Sequence, residues 1–190
     1  RELGGKGPGI VLPDAPLGLT AKGATFGFLL GSGQICISGT RLFVHESIHD
    51  ELVARMVELV SKLKAGSQFD ASTTLGPMAY RAHYERVLGY VESGKAEGAT
   101  VACGGGPLEV EGFPDAMFVQ PTIFTGVTPD MKIYKEEIFG PVLSVIRYSN
   151  IEEAIAMAND SCFGLSAGVW TGDPIAGQEV AYRLEAGTVW

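Results

Sequence analysis

The chain has 190 residues, with 14 Lys+Arg against 22 Asp+Glu and a formal net charge of −8 at pH 7. That acidity excludes the basic surface on which nucleic-acid and anionic-membrane binding depend, and with 46% apolar residues the length suits one packed core rather than a disordered chain. Three cysteines, Cys36, Cys103 and Cys162, are too few for a disulfide framework or a paired Cys-x-x-Cys metal site, and no stretch has the length of an apolar membrane span.

In chain order, Gly9-Ile10-Val11-Leu12 reads as a short buried strand, and Asp14-Ala15-Pro16 offers an N-cap and a proline for a helix running to about Leu30. Thr40 to Val44 has the β-branched and alternating character of a strand. Ser47, with Asp50 three positions on, predicts a capped helix whose apolar positions Ile48, Leu52, Met56, Leu59 and Leu63 recur at helical spacing up to a stop at Gly66. A further helix is expected from Ala79 to Ala96, burying Tyr80, Tyr84, Val87, Leu88 and Val91. Strand-prone pieces follow at Thr100 to Cys103 and Phe118 to Thr125, separated by a loop or hairpin from Gly104 to Pro114.

The run Val142-Leu143-Ser144-Val145-Ile146 is apolar on both pleat faces, as in a parallel strand covered on both sides. Asn150 with Glu153 makes a capping box for a helix over Ala154 to Asn159, and Leu165 to Trp170 is the next strand. Asp173-Pro174 starts a helix ending at Gly187, ahead of the terminal strand Thr188-Val189-Trp190. Strand and helix alternate throughout. The expected fold is therefore α/β, a three-layer α/β/α domain around a mostly parallel sheet.

Several motifs carry candidate chemistry. His45-Glu46-Ser47-Ile48-His49 matches the H-E-x-x-H zinc-hydrolase pattern, which requires both histidines on one helix face; with Ser47 at the helix cap, His45 falls on the strand side, and no metal site is expected. Gly31-Ser32-Gly33-Gln34-Ile35-Cys36 begins like a dinucleotide fingerprint, but it follows a helix and has cysteine at the third glycine position. It reads instead as a small-residue loop delivering a thiol, the strongest nucleophile among the protein side chains near neutral pH. Cys103 and Cys162 read as inert. Asn159-Asp160-Ser161 is a formal glycosylation sequon without a secretory signal beside it. A non-catalytic α/β binding or assembly domain, with Cys36 buried, is the alternative from another class.

Glu2-Leu3-Gly4-Gly5-Lys6, Gly33-Gln34-Ile35-Cys36 and Glu136-Glu137-Ile138-Phe139-Gly140-Pro141-Val142, in that order, together resemble the aldehyde dehydrogenase superfamily, and the likeness continues through Phe163 to Val169 and Glu185 to Trp190. The resemblance implies that residues 1–190 are the catalytic domain of a longer enzyme. It implies Cys36 as the nucleophile that adds to an aldehyde, passing through a thiohemiacetal and a thioester, and Glu2 as the base that activates the hydrolytic water. Glu137, Phe139 and the Leu3 backbone would contact NAD or NADP, and the Cys36 N–H would supply half of an oxyanion site. Lys6 and Arg41 would stand behind these groups, and Ile35, Ile37 and Phe163 at an apolar tunnel mouth. On the same resemblance the whole enzyme is a homodimer or homotetramer, and the few unpaired cysteines point to a reducing cytoplasm. The 190 residues alone are expected to hold no cofactor tightly and not to turn over.

Overall fold

The computed structural model describes residues 3–190. It contains nine strands and six α-helices: β1 (Gly7–Val11), α1 (Leu17–Leu29), β2 (Gly39–His45), α2 (His49–Ser61), α3 (Arg81–Ala96), β3 (Thr100–Cys103), β4 (Pro107–Leu108), β5 (Phe118–Val119), β6 (Thr122–Thr125), α4 (Lys132–Lys135), β7 (Val142–Tyr148), α5 (Ile151–Asn159), β8 (Ser166–Trp170), α6 (Pro174–Ala181) and β9 (Thr188–Val189), with a 3-10 turn over Leu30–Gly33 after α1. Seven strands form one sheet in the order β3-β6-β7-β2-β1-β8-β9, parallel except for β3 against β6, while β4 and β5 pair separately.

The two faces of the sheet are read directly from the side-chain alternation of its strands. Leu42 and Val44 of β2, with Leu143 and Val145 of β7, pack on Ala21, Ala24 and Phe28 of α1 and on Leu52 and Met56 of α2. Phe43, Val142 and Ile146 face the other way, toward Val87 and Val91 of α3, Ile133 of α4, Ala154 and Ile155 of α5 and Val180 of α6. Sheet and helices thus make the three expected layers.

The strand expected from Phe118 to Thr125 is split into β5 and β6, which join different sheets, and the other differences from the expected elements lie at helix ends. Ser47 does not cap α2: the N-cap residue is Ile48, and the Ser47 hydroxyl is 2.7 Å from His45 Nδ1. Asp14 does not cap α1 either, since its carboxylate accepts from the Thr171 hydroxyl and the Gly172 N–H across the sheet. Helix α2 ends at Ser61, before the Gly66 stop, and α6 ends at Ala181, before Gly187. Asn150 caps α5, accepting from the Glu152 N–H, and Asp173 caps α6. Tyr80 precedes α3 and is exposed, and His83 takes the buried place on that face. The single turn α4 had no sequence signal.

Candidate active site at the entering ends of the strands

In a parallel sheet all strands begin at one edge, so segments far apart in sequence meet there. Gly5 and Lys6 lead into β1, Cys36 to Ser38 into β2, Glu137 to Pro141 into β7, and Phe163 to Leu165 into β8. Every motif of the resemblance that falls among the described residues therefore converges on this edge, opposite to the carboxyl ends where open α/β sheets usually bind ligands. Glu2 lies outside the described residues.

Cys36 sits in a turn closed by the Ser38 N–H donating to the Ile35 carbonyl at 3.1 Å, which puts Cys36 and Ile37 at its two central positions. The loop before it is held in an uncommon backbone form. Gly31, Ser32 and Gly33 all have positive φ, and Ser32, at 59°, is one of two non-glycine residues among those described to do so. The Ser32 hydroxyl compensates by donating to the Gly76 carbonyl at 3.0 Å and accepting from the Gly76 N–H at 2.9 Å. Gln34 adds a second tie, its Oε1 accepting from the Ala79 N–H at 2.9 Å. Cys36 is half-buried, Cys103 is held up in pKa by burial, and Cys162 is exposed.

Two glycines let the converging segments touch. A Cβ on Gly5 would come 2.0 Å from the Cys36 carbonyl oxygen, and one on Gly33 would come 2.2 Å from the Gly140 carbonyl oxygen. Any side chain at either position would push the thiol loop off its neighbours. Gly5 also donates its N–H to Glu137 Oε1 at 2.8 Å, joining the first and third motifs directly.

The Glu136–Phe139 segment is anchored from α3 by residues outside the motifs. His83 Nε2 donates to the Phe139 carbonyl at 2.7 Å, Arg86 donates to the Glu137 carbonyl at 2.7 Å, and the Tyr90 hydroxyl donates to Glu136 Oε2 at 2.7 Å. Residues 83, 86 and 90 recur three and four apart on one helix face, and that spacing of polar residues is the signal that could have found them. Phe139 itself has φ of 61°, with its ring edge-on to His83.

Behind this junction lie two buried cations. Arg41 is 1% exposed and satisfies its guanidinium on the carbonyls of Lys6, Met157 and Ala158, with its plane over the Phe43 and Tyr134 rings. Lys6 is 2% exposed, and its Nζ has no hydrogen-bond partner among the described residues. Burial first, and Arg41 second, push the Lys6 amine down to about 7, against the opposing pull of Glu137 and Glu136.

Ile35 and Ile37 line a largely apolar cavity of about 470 Å³ with Phe26, Leu30, Trp170 and Trp190, whereas Phe163 lines a separate small crevice beside Lys6. The three residues expected at one tunnel mouth are therefore divided between two hollows. The H-E-x-x-H string is also divided: His45 ends β2 against the Tyr148 ring, His49 opens α2 with Nδ1 on Asp50 at 2.8 Å, and among the described residues no group of three or more His, Cys, Asp or Glu could hold a metal ion. No helix among them is long and apolar enough to cross a membrane.

Residues 1–190 match the model of the aldehyde dehydrogenase family. The chain is 49% identical over 189 residues to a betaine aldehyde dehydrogenase of Brucella anthropi, covering all of this chain and 39% of that protein. Among solved structures it is similar to an aldehyde dehydrogenase of Bacillus cereus in complex with NAD+, at 46% identity and a TM-score of 0.94, covering 100% of this chain and 38% of that one. A betaine aldehyde dehydrogenase of Staphylococcus aureus in complex with NAD+ matches at 39% identity and a TM-score of 0.96, covering 99% and 37%. The chain thus spans about two fifths of the length of the curated relatives it matches.

Proposed function

The chain belongs to the aldehyde dehydrogenase family, and from that premise we propose that residues 1–190 are the catalytic domain of a longer enzyme that oxidises an aldehyde to a carboxylic acid with NAD or NADP. The observation that carries this reading is the junction of three segments: Gly5 packs on the Cys36 carbonyl and donates to the Glu137 carboxylate, so thiol loop and carboxylate share one backbone link. The whole enzyme is a homodimer or homotetramer in the cytoplasm, where a free thiol stays reduced.

Cys36 Sγ adds to the aldehyde carbonyl, giving a thiohemiacetal. The Cys36 N–H is not the donor that closes its turn, and it would stabilise the oxyanion that develops, half of a site that the rest of the enzyme completes. Glu2 takes the proton of the water that releases the acid from the thioester. A free thiol is ionised only to a few per cent at neutral pH, and a positioned base contributes typically ~10²–10⁴-fold.

The residues at this edge fit the nicotinamide end of a dinucleotide. One Glu137 oxygen is taken by Gly5, and the other faces Gly4, where a Cβ would approach to 2.5 Å, so the carboxylate has a bare backbone cradle with capacity left for ribose hydroxyls. Leu3 leads into that cradle and is 79% exposed, leaving its backbone open to lie along the cofactor. Phe139 would pack beside the ring. When bound, the nicotinamide supplies the hydride acceptor.

The test is intact-mass analysis of the full-length enzyme mixed with aldehyde and NAD+. Glu2→Gln is expected to accumulate an acyl adduct on Cys36, because hydrolysis slows more than acylation. A Glu2→Gln enzyme that deacylates at the wild-type rate would remove Glu2 from the base role. A full-length wild type that neither binds NAD+ nor acylates Cys36 would remove the reading altogether.

A further inference from the structure

Lys6 poses a problem that the mechanism above does not use. A buried ammonium without a partner is costly, and an apolar side chain of similar length would be more stable in its place. Nearby Arg41 shows how this fold satisfies a buried cation, with three backbone carbonyls and two aromatic faces. Lys6 receives none of these, although its own carbonyl is one of the three Arg41 acceptors. It is also the residue next to Gly5, whose N–H holds Glu137.

We propose that Lys6 is a positioning residue for the cofactor, its ammonium acting as the buried positive charge that draws the Glu136–Glu137 segment onto the entering edge and holds the Glu137 carboxylate oriented for ribose hydroxyls. The proposal rests on the dehydrogenase reading. The groups facing Lys6 are Arg41 of β2, which opposes its protonation, and Glu137 and Glu136 of the segment before β7, which favour it. Tyr134 of α4, with Asp160 and Cys162 beyond α5, acts on Arg41 rather than on Lys6. Their balance leaves the Lys6 proton labile at about 7, so the holding charge is present below that pH and lost above it. Cofactor affinity then falls as pH rises, in a range where no ordinary carboxylate titrates.

The test is NAD+ titration of the full-length enzyme by intrinsic fluorescence from pH 6 to 9, with Cys36 alkylation measured alongside. Wild type is expected to bind roughly tenfold more weakly at high pH than at low, about the effect of one unit of coupled pKa shift. Lys6→Met should bind weakly at every pH with the step gone, and Lys6→Arg should restore tight binding without a step; Cys36 alkylation should be unchanged in both. A Lys6→Met enzyme with wild-type affinity and an intact step would overturn the proposal while leaving the dehydrogenase reading standing. So would a Lys6→Met enzyme that loses Cys36 reactivity and NAD+ affinity in equal measure, because Lys6 would then serve the fold. A wild type that does not bind NAD+ at any pH refutes the reading beneath it.

Discussion

The two edges of the sheet are built from the same strands and solve opposite problems. At the leaving edge polar groups largely satisfy one another at short range: Asp14 takes Thr171 and Gly172, Arg147 donates to Asp50 at 2.6 Å, and the Tyr148 hydroxyl donates to the Val11 carbonyl. At the entering edge lie both non-glycine residues with positive φ, Ser32 and Phe139, together with the unpartnered Lys6 Nζ and the buried, unpartnered hydroxyls of Ser38 and Thr40. Among the described residues the leaving edge keeps one such atom, His49 Nε2, and the two others, Thr25 Oγ1 and Thr73 Oγ1, lie in α1 and in the segment between α2 and α3. Strain and unmet hydrogen-bonding capacity collect where a fold is committed to chemistry.

The comparison breaks most directly at the thiol. In the full-length enzyme Cys36→Ala should reduce aldehyde oxidation by ~10⁴-fold or more, because no other group can form the covalent adduct. Cys103→Ala and Cys162→Ala should stay within about twofold of wild type, one thiol being held protonated by burial and the other lying on the surface. Steady-state turnover checks all three, and near-normal activity in Cys36→Ala would shift the chemistry away from the entering edge.

A second measurement sharpens the comparison by probing backbone alone. Gly33→Ala adds one methyl group at a φ of 74° and only 2.2 Å from the Gly140 carbonyl, and should destabilise the protein by about 2–4 kcal/mol. Gly27, inside α1, has nothing within 4 Å of an added Cβ, so Gly27→Ala should stabilise by about 0.5–1 kcal/mol through helix propensity. Urea denaturation distinguishes them. Equal effects would mean that the thiol loop is not wedged against the segment before β7.

Much of this was legible in the sequence, and the failures share one cause. Strands such as Val142 to Ile146 and the helix over 81–96 follow from local periodicity, and the thiol loop from its glycines and its resemblance. Asp14 and Ser47 were misread as caps because a side-chain oxygen next to a helix start can be engaged elsewhere: Asp14 accepts from Thr171, 157 positions away, and the Ser47 hydroxyl pairs with His45 Nδ1. The anchors His83, Arg86 and Tyr90 were missed for the same reason, since their acceptors lie about fifty residues away on the segment before β7. Local pattern predicts elements; it does not say which polar groups will meet once parallel strands bring their ends together.

The smallest effect tests that last point at the leaving edge itself. Asp173 and Ser47 look alike in sequence, each a small polar residue before a helix, but only Asp173 accepts from the first-turn N–H groups, Ile175 at 2.8 Å and Ala176 at 3.4 Å. Asp173→Ala should cost about 1 kcal/mol, the usual loss of an N-cap. Ser47→Ala removes an exposed bond to His45 and no cap, so it should stay within about 0.5 kcal/mol of wild type, as surface substitutions do. Paired denaturation curves resolve a difference of that size. If Ser47→Ala cost as much as Asp173→Ala, its hydroxyl would be capping α2 in solution, His45 would lose its partner, and the leaving edge would be more mobile than its short hydrogen bonds imply.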